Sequence, residues 1–193
     1  QRFLASRLDQ EYDLYAYFED DLVVLDPWFF RKIDWFRRQA GSDCVLLPHR
    51  IEFSNVPDVV DRFFIDGPIA EDELRRVIPD PSPSIGSPYP GGTVYFESPR
   101  NPHSGCFVLS AQQLQHWLQQ SWWQDGDCSL ISPLESAASL GIAKTFRVFK
   151  PAMANASWLE IQHWGTSFHC LIGNKVSLPP QSSEAITEVQ EPN

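Results

Sequence analysis

Three consecutive carboxylates, Glu19, Asp20 and Asp21, interrupt an otherwise apolar and aromatic segment, YDLYAYFEDDLVVL at residues 12–25. The flanking residues read as one buried strand, internal to a sheet covered on both faces and broken by acid. A carboxylate buried without a partner costs several kcal/mol, so three in a row demand positive charge. A divalent cation, Mg²⁺ or Mn²⁺, meets that demand, because such ions are held by one or two carboxylates together with substrate phosphates. The carboxyl end of a strand in an open α/β sheet is also where ligands bind. The plainer alternative is that the strand ends at Glu19 and the acids form a solvated turn. The LVVL run at 22–25 speaks against it, since a solvated turn seldom sits inside a continuous hydrophobic segment.

Composition narrows the partners. The 193 residues carry a formal charge of −10, which would repel nucleic acid and anionic membrane over most of the surface. No apolar stretch approaches the roughly 20 residues needed to span a bilayer, and no signal-peptide pattern opens the chain. Cys44, Cys106, Cys128 and Cys170 form no C-x-x-C pair, so buried free thiols in a reducing, cytoplasmic setting are expected.

Further along, the pattern alternates between helix and strand. A short helix over 2–11 precedes the acidic strand. Asp26-Pro27 predicts a helix start, with apolar residues following and Gly41 as its end. DCVLLP at 43–48 and HRIEF at 49–53 read as strand. Residues 79–92, PDPSPSIGSPYPGG, predict a long loop without regular structure. TVYFE at 93–97 and GCFVL at 105–109 are strands, and Ser110 caps a following helix. Pro133 opens a helix closed by Gly141, and TFRVFK at 145–150 suits an antiparallel or edge strand. The expected whole is an α/β fold over 1–178, a mixed, mostly parallel sheet flanked by helices, followed by a disordered acidic tail at 179–193.

The segment YAYFEDDLVVLDPWFF at 15–30 resembles the aspartate-x-aspartate region of glycosyltransferases with the GT-A fold, in the E-D-D variant seen in inverting N-acetylglucosaminyltransferases. The resemblance covers about sixteen residues. It implies a metal-dependent transfer of sugar from a nucleotide-sugar donor to a carbohydrate or related hydroxyl acceptor. Asp21 would ligate the metal, and Glu19 and Asp20 would meet the ribose or the water shell of the metal. It also implies a nucleotide-binding half ahead of the motif, and only eighteen residues precede Glu19, so the chain is expected to be N-terminally incomplete.

Other residues take roles from the same resemblance. Asn101–Ser110, with Gly105, matches a strand entry where a small residue lets backbone approach the sugars; an ordinary turn reads equally well. Glu135, at a helix start, falls where the family places its catalytic base, which takes the acceptor proton; a glutamate stabilising the helix N-terminus is the alternative. Asp125 and Asp127 compete with it. His163, and less so His169, would complete the metal shell, against a packed core histidine. His49 and Arg50 would meet a phosphate or the acceptor, with an Arg50–Glu52 surface pair as the alternative. Two rival functions remain: a non-catalytic carbohydrate-binding domain of the same fold, and a metal-dependent phosphohydrolase.

Overall fold

A computed structural model describes residues 2–123 and 126–178. Its strands are β1 (Leu14–Phe18), β2 (Leu22–Val23), β3 (Cys44–Leu46), β4 (His49–Phe53), β5 (Arg62–Phe64), β6 (Ile85–Tyr89), β7 (Gly92–Glu97), β8 (Cys106–Ser110), β9 (Arg147–Pro151) and β10 (Glu160–His163). The helices are α1 (Arg2–Ala5), α2 (Phe29–Ala40), α3 (Glu71–Leu74), α4 (Ala111–Leu118), α5 (Pro133–Glu135) and α6 (Gly141–Thr145).

The fold is mixed α/β. Two four-stranded sheets run in the orders β2-β10-β4-β5 and β3-β9-β7-β6, and β1 pairs with β8. The sheet is not mostly parallel: among the described residues β3–β9 and β4–β10 are parallel and the other ladders antiparallel. Antiparallel neighbours need only a tight turn, whereas parallel ones need a long crossover. Residues 79–84 are irregular as expected, but residues 85–92 supply such a turn. There β6 pairs with β7 in register Tyr89↔Gly92, and Pro90-Gly91 form the corner with Gly91 at φ 97°. Pro88 is tolerated because β6 lies at the sheet edge.

Helices on two faces explain why neighbouring residues of one strand are both dry. Along β8, Phe107 and Leu109 pack with Tyr15, Leu114 and Trp117. Cys106 and Val108 pack on the opposite side with Phe29, Ile33 and Phe36 of α2. Those three α2 residues recur at i, i+4 and i+7, one helical stripe. Each such burial contributes on the order of 1.5–3 kcal/mol.

Local punctuation differs from expectation in four places. Helix α2 starts at Phe29, yet Asp26 Oδ1 still accepts the Trp28 N–H at 2.8 Å. Gly141 does not stop a helix: a π-helical turn, Ser136–Leu140, runs into α6 through Gly141 at φ −61°. Its role is clearance, since a Cβ there would stand 2.7 Å from Trp117 Cζ2. Strand β9 is antiparallel to β7 as expected, but it also pairs in parallel with β3, so it is interior and not an edge strand, and it is buried after Arg147. Of the thiols, Cys44 and Cys106 are buried but Cys128 and Cys170 are exposed, and all four are free. Ser110 does cap α4, in a reciprocal box with Gln113. The tail at 179–193 lies outside the described residues, as does Asp125.

Candidate functional site

The segment 12–25 is two strands, not one. β1 ends at Phe18, Asp20 and Asp21 turn the chain, and β2 begins at Leu22 in a different sheet. β1 is not internal to a sheet either, as its only ladder among the described residues is with β8. Both aspartates are exposed, and so are Val24 and Leu25 beyond them. An acidic turn is thus part of the answer, but it is a turn with buried charge facing it.

Sheet register brings that charge together. Leu22 of β2 pairs with His163 of β10, and Gln162 of β10 lies beside Ile51 of β4, which sets His163 next to Glu52. Asp21 immediately precedes Leu22. Three adjacent strands therefore present Asp21, His163 and Glu52 abreast. His163 Nε2 stands 3.0 Å from Asp21 Oδ2, and its Nδ1 stands 2.8 Å from Glu52 Oε1. The backbone N–H of Trp164 donates to Asp21 O at 2.8 Å and fixes the turn.

Glu52, which the sequence offers only as a surface partner for Arg50, is fully buried, with 0% exposure. It accepts from the Phe168 N–H at 3.2 Å and 3.3 Å through its two oxygens. His169 Nε2 lies 3.3 Å from Glu52 Oε2 without hydrogen-bond alignment. The expected alternative of an Arg50–Glu52 pair fails. The two share a face of β4 but sit roughly 7 Å apart along the strand. Arg50 instead directs Nε to Asp66 Oδ1 at 2.8 Å, and Lys150 Nζ donates to Asp66 Oδ2 at 2.8 Å and to His103 O at 2.6 Å. Lys150 and Arg50 hold the buried Asp66 carboxyl well below the usual aspartate range, against the burial that opposes ionisation.

Glu19 lies between these groups. Its backbone N–H donates to Gly105 O at 2.9 Å. A Cβ on Gly105, which sits at φ 63°, would meet Glu19 Oε2 at 2.6 Å, so the small residue makes room for this carboxylate. Glu19 Oε1 is buried without a hydrogen-bond partner. Burial pushes the Glu19 carboxyl above its ordinary range; Arg50 opposes this, the charges of Asp21 and Glu135 add to it, and His163 opposes it. His103 Nε2 is 3.9 Å from Glu19 Oε2 but makes no ion pair, because burial and then Arg50 hold that imidazole far below its usual range and neutral.

The two candidate bases separate. Glu135 reaches the site electrostatically, since its charge acts on both Glu19 and Arg50. It also accepts from the Ser132 hydroxyl at the start of α5. Asp127 is engaged elsewhere: it accepts from Lys144 Nζ at 2.7 Å and from Ser129 N–H at 2.8 Å, beside a cavity of about 140 Å³ lined by Trp117 and Trp123. His49 is turned to Pro151 O, 2.7 Å from its Nε2; burial, then Lys150, lower its pKa to about 4.

Among the described residues no group of three or more His, Cys, Asp or Glu side chains converges as a complete cation shell. Asp21 and His163 are two groups that could hold a cation. Two ligands placed cis on an octahedral ion at roughly 2.0–2.1 Å stand about 3.0 Å apart, so the observed spacing fits such a pair with substrate oxygens completing the shell. Among the described residues no helix is long and apolar enough to cross a membrane. Comparison of the chain with protein-family models, curated proteins and solved structures finds no match in any of the three.

Proposed function

We propose that this chain carries the cation and acceptor side of a metal-dependent glycosyltransferase of GT-A type, which moves a sugar from a nucleotide-sugar donor to a hydroxyl acceptor with inversion. The observation that carries this reading is the Asp21–His163 pair at 3.0 Å.

In this reading Asp21 and His163 hold Mn²⁺ or Mg²⁺, which when bound neutralises the charge that develops on the leaving diphosphate. Glu135 takes the proton from the acceptor hydroxyl as the new glycosidic bond forms and the bond to the diphosphate breaks. The free, buried Glu19 Oε1 accepts from a sugar hydroxyl, which supplies the donor it otherwise lacks. Arg50, held by Asp66, offsets the carboxylates that face it. Trp164, 70% exposed and bonded through its backbone to Asp21, offers an indole face to a sugar ring at the rim.

The test is thermal denaturation with Mn²⁺ and a nucleoside diphosphate, added singly and together. A rise in Tm that needs Mn²⁺ and is lost in Asp21→Ala supports the reading. Glycan binding unaffected by EDTA, with no Mn²⁺ effect, would point instead to a carbohydrate-binding domain. Phosphate release from simple esters would point to a hydrolase.

A further inference from the structure

The imidazole of His163 lies between two carboxylates of opposite surroundings. Glu52 is wholly buried, whereas the Asp21 side chain is 46% exposed. In a low-dielectric setting the hydrogen bond to the buried carboxylate is the stronger one, and leaving that carboxylate unpaired is the costlier alternative. Water can solvate Asp21 in exchange. The single ring proton of a neutral His163 therefore belongs on Nδ1, donated to Glu52 Oε1 at 2.8 Å.

That placement has a chemical result. With Nδ1 protonated, Nε2 carries the lone pair and stands 3.0 Å from Asp21 Oδ2. Lone pairs at that distance repel unless a proton or a metal cation is shared between them. A histidine that ligates through one nitrogen while the other donates to a carboxylate is a common arrangement in metal sites, and it fixes both ring orientation and tautomer. The Phe168 N–H donates to both oxygens of Glu52 and helps to fix that carboxylate beside His163.

We propose that Glu52 is a positioning residue: it sets His163 in the Nδ1–H tautomer and so turns the Nε2 lone pair toward the cation shared with Asp21. This rests on the metal reading given above.

Two measurements separate this role from a merely structural one. The first is a ¹⁵N–¹H correlation spectrum of the histidine rings in the metal-free protein at alkaline pH. His163 is expected to show a protonated Nδ1 and a bare Nε2; a protonated Nε2 in the wild type overturns the proposal. The second is Mn²⁺ titration by calorimetry of the wild type, Glu52→Leu and Glu52→Gln. Loss of the acceptor in Glu52→Leu is expected to weaken Mn²⁺ binding by about 10–100-fold. Glu52→Gln, which keeps an acceptor oxygen, is expected to restore part of that loss. Wild-type affinity in Glu52→Leu overturns the positioning role while leaving the metal reading intact. A wild type that binds no Mn²⁺ overturns the metal reading itself. Should Glu52→Leu fail to fold, the wild-type ring spectrum decides the tautomer alone.

Discussion

His163 Nε2 and Asp21 Oδ2 stand 3.0 Å apart although 142 positions separate them, because β10 lies between β2 and β4 in one sheet. The approach of an exposed acidic turn to a buried histidine is the organising contact of the candidate site.

Glu135→Gln is expected to separate chemistry from binding. If Glu135 removes the acceptor proton, the variant loses transfer by roughly 10²–10⁴-fold while keeping the Mn²⁺-dependent rise in Tm. The readouts are product formation from a nucleotide-sugar donor and a melting curve on the same sample. Loss of both together would return Glu135 to its structural place beside Ser132.

Gly105→Ala is expected to destabilise the fold by roughly 1–3 kcal/mol, the usual range for a side chain forced into a left-handed backbone conformation. The added methyl would also stand 2.6 Å from Glu19 Oε2 and displace that carboxylate. Chemical denaturation measures the first effect. An unchanged midpoint would show that the loop can relax around Gly105.

At Gly141 two effects oppose one another. Helical φ makes alanine better than glycine by about 1 kcal/mol. The new Cβ, however, meets Trp117 Cζ2 at 2.7 Å, and overpacking of a core typically costs roughly 1–3 kcal/mol. Gly141→Ala is thus expected to lower Tm, and a stabilised variant would show that packing there is loose.

Acid is expected to destabilise the protein in two stages. His49 is held neutral by burial, with a folded pKa lowered to about 4 from 6.5, and His103 is lowered in the same sense. The unfolded chain therefore binds protons first, and stability falls as pH drops below about 6.5, by up to about 1.4 kcal/mol per pH unit per histidine. Asp66 is depressed, so its contribution is present above the ordinary aspartate value of 3.8 and is lost below it. Urea midpoints at pH 7.5, 5.5 and 4.5 check the first stage. His49→Gln should flatten it, and an equal slope in that variant would count against the assignment.

Legibility followed the range of the interaction. Local signals read well: the Ser110 cap and the glycine at 41 are set by neighbours within a turn. The acidic motif, Gly105 and His163 are legible as residue types, and the fold brings Asp21 to His163 and Glu19 to Gly105, whereas Arg50 binds Asp66 and Glu135 accepts from Ser132. Strand direction was not legible, because period-2 alternation is the same in parallel and antiparallel ladders. Residues 85–92 showed the converse, where proline and glycine marked a hairpin corner and an edge strand instead of a loop. Glu52 was hidden because its partners, His163, Phe168 and His169, lie more than a hundred residues away. Its signal, a carboxylate two positions from Arg50 on the alternating strand HRIEF, indicates a shared face but names no partner.

The most direct measurement is Mn²⁺ binding by calorimetry, with a nucleoside diphosphate present, in the wild type, Asp21→Ala and His163→Ala. One Mn²⁺ per chain in the wild type, weakened at least tenfold in each variant, is the expected result. A wild type without Mn²⁺ binding, or variants that bind as the wild type does, would contradict the assignment of Asp21 and His163 as the cation pair.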